Sequence, residues 1–266
     1  MRSSNPVLSR LGQVATQARA TGGGYGIYPG ATPGYAPPAV GRTMTLDDVV
    51  VRTVGLLVLT GAAGAASWLL LPNGPVLALA VFGSMIAGLV LGLVISFARI
   101  TNPALIAAYA IVEGVLLGVV SRFFEARYPG IVIQAVVGTF GVFAGMAVLY
   151  KLRVLRATPR FTRFVIGALI GVVVLSLVNW VVAMLGGNLH LIEYGVDGKV
   201  GWLPIVFSLV CIGVGALTFI LDFDMVEQGV RYWLPEKYAW YCSFGLLVGL
   251  IFLYWQILRL LGYLRR

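Results

Sequence analysis

The run LPIVFSLVCIGVGALTFI (residues 203–220) passes straight into LDFDMVE (221–227), and this stretch decides the fold. Ser208 and Thr218 are the only hydroxyls in the run, and no charge interrupts it. An uncharged apolar stretch of that length reads as a membrane-crossing helix. Three carboxylates then arrive close together, Asp222, Asp224 and Glu227. At about 100° per residue, Asp224, Glu227 and Arg231 share one side of the helix. Glu227 and Arg231 stand at the favourable i,i+4 spacing, so this polar face compensates itself. Asp222 points the opposite way. A lone carboxylate in a membrane helix is unfavourable in lipid and turns to the bundle interior, which makes Asp222 the first candidate functional residue.

Composition carries the same reading to the whole chain. Charged residues make up 11% of the 266 and the mean hydropathy is +0.94, whereas soluble domains carry about 25% charged residues. The expected class is all-α: a polytopic integral membrane protein, a seven-transmembrane-helix bundle with a disordered N-terminal tail. The net charge of +9 then reads as basic loops and tails meeting anionic headgroups rather than nucleic acid. Cys211 and Cys242 lie in or beside apolar runs at no zinc or redox spacing, so both read as small buried side chains. His190 is the only histidine, too few for a histidine-based metal site.

Residues 1–44 form the tail. Arg2, Arg10 and Arg19 precede a Gly/Pro/Tyr-rich segment that cannot bury enough apolar surface to fold. No apolar h-region follows the early arginines, so this is not a signal peptide. The membrane domain spans 45–266. Thr45 reads as an N-cap with Asp47 and Asp48 in the first turn. Apolar helices follow over 49–71, 76–98, 104–120, 131–150, 164–185, 202–230 and 243–264. The second is rich in glycine (Gly83, Gly88, Gly92) for close packing, and Gly114 and Gly118 of the third form a small-xxx-small pair. A polar turn with Arg122, Glu125 and Arg127 is expected after it.

The loop after the fourth helix holds Lys151, Arg153, Arg156, Arg160 and Arg163 without an acid, and should be cytoplasmic. The loop with Glu193, Asp197 and Lys199 is expected outside. Counting helices from the basic loop puts the N-terminus in the cytoplasm and the C-terminus outside. The terminal pair Arg265-Arg266 leans the other way, and a seventh segment that stops short of crossing would reconcile the two. Within the membrane, Glu113 is the second candidate, either lining a pathway or held as a structural acid beside Tyr109. Asn179 and Gln256 read as interhelical hydrogen bonds, and Arg259 as a side chain reaching for the interface. No phosphate loop, Ser/His/Asp set or metal spacing is present, so no enzymatic activity, cofactor or metal is expected.

Three stretches resemble the Bax inhibitor-1/YccA family, the transmembrane Bax inhibitor motif family, in its bacterial branch. They are YAIVEGVLLG (109–118), FILDFD (219–224) and LYWQIL (253–258), matching the family's third, sixth and seventh helices over roughly residues 46–266. The resemblance implies seven helices and, from members studied as channels, a pH-dependent calcium leak. In those members an acid on the sixth helix pairs with one on the central seventh as proton sensor, and an arginine ending the second helps latch the closed state. Asp222 matches the first position and Arg99 approximates the latch. The helix-seven position falls on Gln256, which cannot share a proton between two carboxylates and counts as deeper than Asp222; either the helices are offset or the two do not meet, and Glu113 is a candidate substitute acid.

The leading expectation is a pH-modulated cation (calcium) leak in the plasma membrane, with Asp222, Glu113, Arg99 and Gln256 as proton sensor and ion pathway. Asp224, Glu227 and Arg231 are a secondary polar cluster. The alternative is a non-conducting regulator acting on membrane proteolysis or stress responses through a membrane protein partner. A small-solute transporter is disfavoured because no inverted repeat or broken-helix pair is evident. The expected surroundings are the lipid bilayer, with Ca²⁺ or another cation as permeant.

Overall fold

A computed structural model describes residues 42–72, 74–187, 189, 191–192 and 201–265. The expected tail up to residue 41, His190 and the 193–200 stretch of the acidic loop lie outside the described residues. Among the described residues there are seven helices: α1 (Leu46–Leu70), α2 (Pro75–Ala98), α3 (Pro103–Arg127), α4 (Ile131–Lys151), α5 (Pro159–Met184), α6 (Trp202–Arg231) and α7 (Tyr238–Leu264). Each is long and apolar enough to cross a bilayer.

The helix starts follow from local chemistry. Thr45 and Asp48 close a capping box, with the Asp48 N–H donating to Thr45 Oγ1 at 3.2 Å and the Thr45 N–H donating to Asp48 Oδ2 at 3.0 Å. Asn102 and Thr158 cap α3 and α5, each followed by a proline at the first helical position. Arg99 ends α2 in the left-handed conformation.

α3 runs on through Arg127, where the sequence suggested a polar turn after residue 120. Its polar side chains serve the ends of neighbouring helices. Arg122 donates to the Leu71 carbonyl at 2.8 Å and to that of Trp68 at 3.3 Å, satisfying carbonyls that α1 leaves open. Glu125 accepts from the Gly130 N–H at 2.6 Å and from that of Val132 at 3.1 Å, so a carboxylate closes the N-terminus of α4. Glu125→Ala is expected to lower stability by about 1 kcal/mol, read as an earlier thermal transition of the detergent-solubilised chain.

α7 is the axis of the bundle, packing against α1, α3, α4 and α6, while α2 packs chiefly on α3, with its Ser96 carbonyl accepting from Tyr241 of α7, and α5 packs on α6. One face of α7 contributes Phe244 and Leu247 to a cluster with Ile106 and Tyr109 of α3. The other places Cys242, Leu246 and Leu250 against Phe219 and Ile220 of α6. Both cysteines are free and buried, as their apolar settings implied. α1 and α3 meet most closely, with Gly114 and Gly118 against the backbone of Thr60 and Gly64.

The turn between α6 and α7 is tied to the chain just before α1. Thr43 bridges Pro235, the Met44 N–H donates to Leu234 O at 2.8 Å, and the Glu236 N–H donates to Arg42 O at 2.9 Å. Met44 is buried against Gly229 and Leu234. Residues 42–44, placed in the tail by composition, therefore belong to the folded unit, because this short pairing and one buried side chain anchor them. At the far end, Arg265 donates to Pro129 O at 2.9 Å and to Gln134 Oε1 at 2.8 Å. α7 thus runs from the end holding the α6–α7 turn to the end holding the α3–α4 turn and is long and apolar enough to cross a bilayer. Arg265 is accounted for as a tie between helix ends.

Candidate functional site

Asp222 stands half-buried on α6 and faces α7 beside Cys242 and Gly245. A Cβ on Gly245 would sit 3.8 Å from Asp222 Oδ1. Among the described residues no hydrogen bond or salt bridge reaches this carboxylate. It occupies a seam between two tightly packed helices, and its neighbours on α7 are a thiol and a glycine.

Gln256 does not meet Asp222. It lies about eleven residues beyond Gly245, roughly 16 Å along the α7 axis, and accepts from Arg259 Nη2 at 2.5 Å. Gln256, read from the sequence as an interhelical hydrogen bond, makes its contact with Arg259 within one helix. Arg259 also stays in the bundle rather than reaching the interface: it is half-buried, close to Cys211, and its Nε is buried with no partner. The Ser208 hydroxyl, one turn from Cys211 on α6, is likewise buried and unpaired. Asn179 is buried on α5 with its Oδ1 unmatched.

Glu113 is half-buried on α3, its carboxylate lying over Gly88 of α2, where a Cβ would collide with it. Tyr109, one turn earlier, is its nearest polar neighbour and packs edge-on against Phe244 of α7 at 5.0 Å. Glu113 thus occupies the α2–α3 seam and Asp222 the α6–α7 seam. α3 and α6 do not pack on each other, since α7 stands between them. Arg99 is exposed at the end of α2 and makes no salt bridge among the described residues. It stands on a helix that does not pack on α6, and whose Ser96 carbonyl accepts from the Tyr241 hydroxyl of α7 at 3.3 Å.

The secondary cluster does assemble, at the end of α6. Arg231 pairs with Glu227 at 2.9 Å, Tyr150 of α4 donates to Glu227 at 2.6 Å, and Gln228 donates to Asp224 at 2.6 Å. Arg231 therefore serves Glu227, while Asp224 is held by an amide one turn on.

A cleft of about 340 Å³ lies between α1, α3, α4 and α7, apolar over most of its wall. Its polar groups already have partners: Ser121 and Tyr254 share a hydrogen bond of 2.6 Å, and the Thr60 and Thr139 hydroxyls donate to carbonyls one turn back. Neither Glu113 nor Asp222 lines it.

Cys242 and Gly245 are the site residues that sequence reasoning missed. Helical periodicity places Asp222 on a face but is silent about which level of α7 stands opposite, so no local signal could find them. A family model described as Bax inhibitor 1 like matches residues 5–266. No curated protein matches the chain.

Proposed function

The chain belongs to the Bax inhibitor 1 like family, and on that premise we propose that it is a non-enzymatic, pH-modulated cation leak, with Ca²⁺ as a permeant. In this reading Asp222 is the proton-sensing group and the α6–α7 seam is the element that responds. The observation that carries it is the carboxylate between the central helix and α6, which has no hydrogen bond or salt bridge among the described residues. A charged Asp222 in this seam needs water or a cation, and a protonated one lets the seam close dry. One acid suffices in this mechanism, without the shared proton of a carboxylate pair. Glu113 lies in the separate α2–α3 seam and is not needed as a second sensor. The basic α4–α5 loop faces the cytoplasm of a plasma membrane by the positive-inside rule, and the N-terminus with it.

Dye-reported Ca²⁺ entry into proteoliposomes from pH 6 to 8 tests this directly. The wild type is expected to conduct in a pH-dependent way, Asp222→Asn to conduct with that dependence flattened, and Glu113→Gln to keep it. Flux no greater than in empty liposomes, from protein verified as inserted and folded, would sink the leak.

One observation favours a second reading, a non-conducting regulator that acts through membrane protein partners. The two intramembrane acids occupy separate seams, and the apolar 340 Å³ cleft is lined by neither. Under that reading Asp222→Asn leaves flux at background and changes which membrane proteins co-purify with the chain.

A further inference from the structure

The basic loop is more than a topological signal. A pocket of about 460 Å³ opens where the end of α4, the α4–α5 loop and the last turns of α6 come together. That exceeds the roughly 300 Å³ at which small-molecule sites begin. Lys151, Arg153, Arg156 and Arg231 line it against Asp224 and Glu227, a balance of four cations to two carboxylates, or net +2. The acids and Arg231 are already engaged: Arg231 and Tyr150 hold Glu227, and Gln228 holds Asp224. Lys151, Arg153 and Arg156 make no salt bridge among the described residues. The one hydrogen bond from Arg156 goes to the Arg153 carbonyl at 3.3 Å. The left-handed backbone of Arg153 (φ 57°) turns the chain sharply at this point.

Apolar side chains alternate with these cations. Leu152 is 67% and Val154 65% exposed, on the loop that joins two helices of membrane-crossing length. A freely soluble anion has no use for them. An acidic phospholipid does, since its acyl region covers the leucine and valine while its phosphate meets the guanidinium groups in charge-assisted contacts. We propose that this pocket binds the phosphate-bearing headgroup of an anionic membrane lipid, with Arg153 and Arg156 as the principal phosphate contacts and Lys151 as a supporting charge. The assignment stands independently of whether the protein conducts ions.

The test titrates the full chain in neutral detergent with short-chain phosphatidylglycerol or phosphatidylcholine and reads bound lipid by native mass spectrometry. Phosphatidylglycerol is expected to bind more tightly. Arg153→Gln/Arg156→Gln should weaken it about thirty-fold, the worth of two arginines at an anionic surface. Arg99→Gln/Arg160→Gln removes the same charge outside the pocket and should leave binding unchanged. Unaltered protection of Cys211 and Cys242 from a thiol dye verifies that each variant is folded. Equal loss in both double variants would mean a diffuse field and overturn the pocket, as would equal binding of the two lipids. Displacement of phosphatidylglycerol by inorganic phosphate alone would reassign the site to a free anion and overturn the lipid assignment.

Discussion

Gly118→Leu is expected to destabilise the bundle by about 3 kcal/mol, the upper range for forcing extra atoms into a packed interior. A Cβ at this position runs into Ser67 Oγ and into the backbone carbonyl of Gly64. The collision is with backbone across the tightest helix pair of the molecule, so no rotamer change relieves it and α1 must move away from α3. That movement also breaks the Ser67 hydroxyl's contact with Val115 O, now 3.2 Å long. Gly55→Leu on the outer face of α1 is the matched control: nothing lies within 4 Å of its added Cβ, and the expected change is within about 0.5 kcal/mol. Cys211 and Cys242 are buried, so a thiol-reactive dye reports unfolding without further labelling. A thermal transition for Gly118→Leu that coincides with that of Gly55→Leu would show that the α1–α3 contact is loose.

Arg52→Met is the second large effect, expected to lower stability by about 3 kcal/mol. The Arg52 guanidinium pairs with the Glu236 carboxylate and donates to the Glu236 carbonyl at 2.7 Å. It also lies over the Trp240 ring at 5.2 Å. The ion pair is mostly shielded on the arginine side, so removing the cation leaves a carboxylate without its partner. Methionine keeps the apolar stem and isolates the loss of charge. Because Arg52 and the 42–44 bridge hold the same α6–α7 turn, limited proteolysis near residues 232–237 should accelerate along with the earlier thermal transition. Cleavage at the wild-type rate would mean that the bridge holds the turn without Arg52.

How much of this was legible beforehand varies with the range of the interaction involved. The N-cap at Thr45, the Glu227–Arg231 pair and the small faces at Gly114 and Gly118 follow from spacings within one helix, and local periodicity displays these directly. Arg122, Glu125 and Arg265 read as turn or topological residues because in sequence they are only charges near a helix end. Their partners on other elements, Leu71, Val132 and Pro129, explain why they stand inside helices or at a terminus. Gln256 illustrates the same limit at the candidate site. Its family position suggested a partner for Asp222, but axial offset between α6 and α7 is set by how their side chains interlock, and it puts Cys242 and Gly245 there instead.

By itself the sequence determined that this chain is a seven-helix membrane bundle, since run length, hydropathy and caps act locally and the bilayer admits few alternatives. It also singled out Asp222 and Glu113, because any carboxylate in such a run stands out. Only the tertiary structure decided that α7 crosses the bundle fully, that the two acids occupy separate seams on either side of it, and that Lys151, Arg153 and Arg156 border a pocket. Each of these depends on which helices pack together and at what height, a result of side-chain interdigitation summed over the whole bundle that no single stretch encodes.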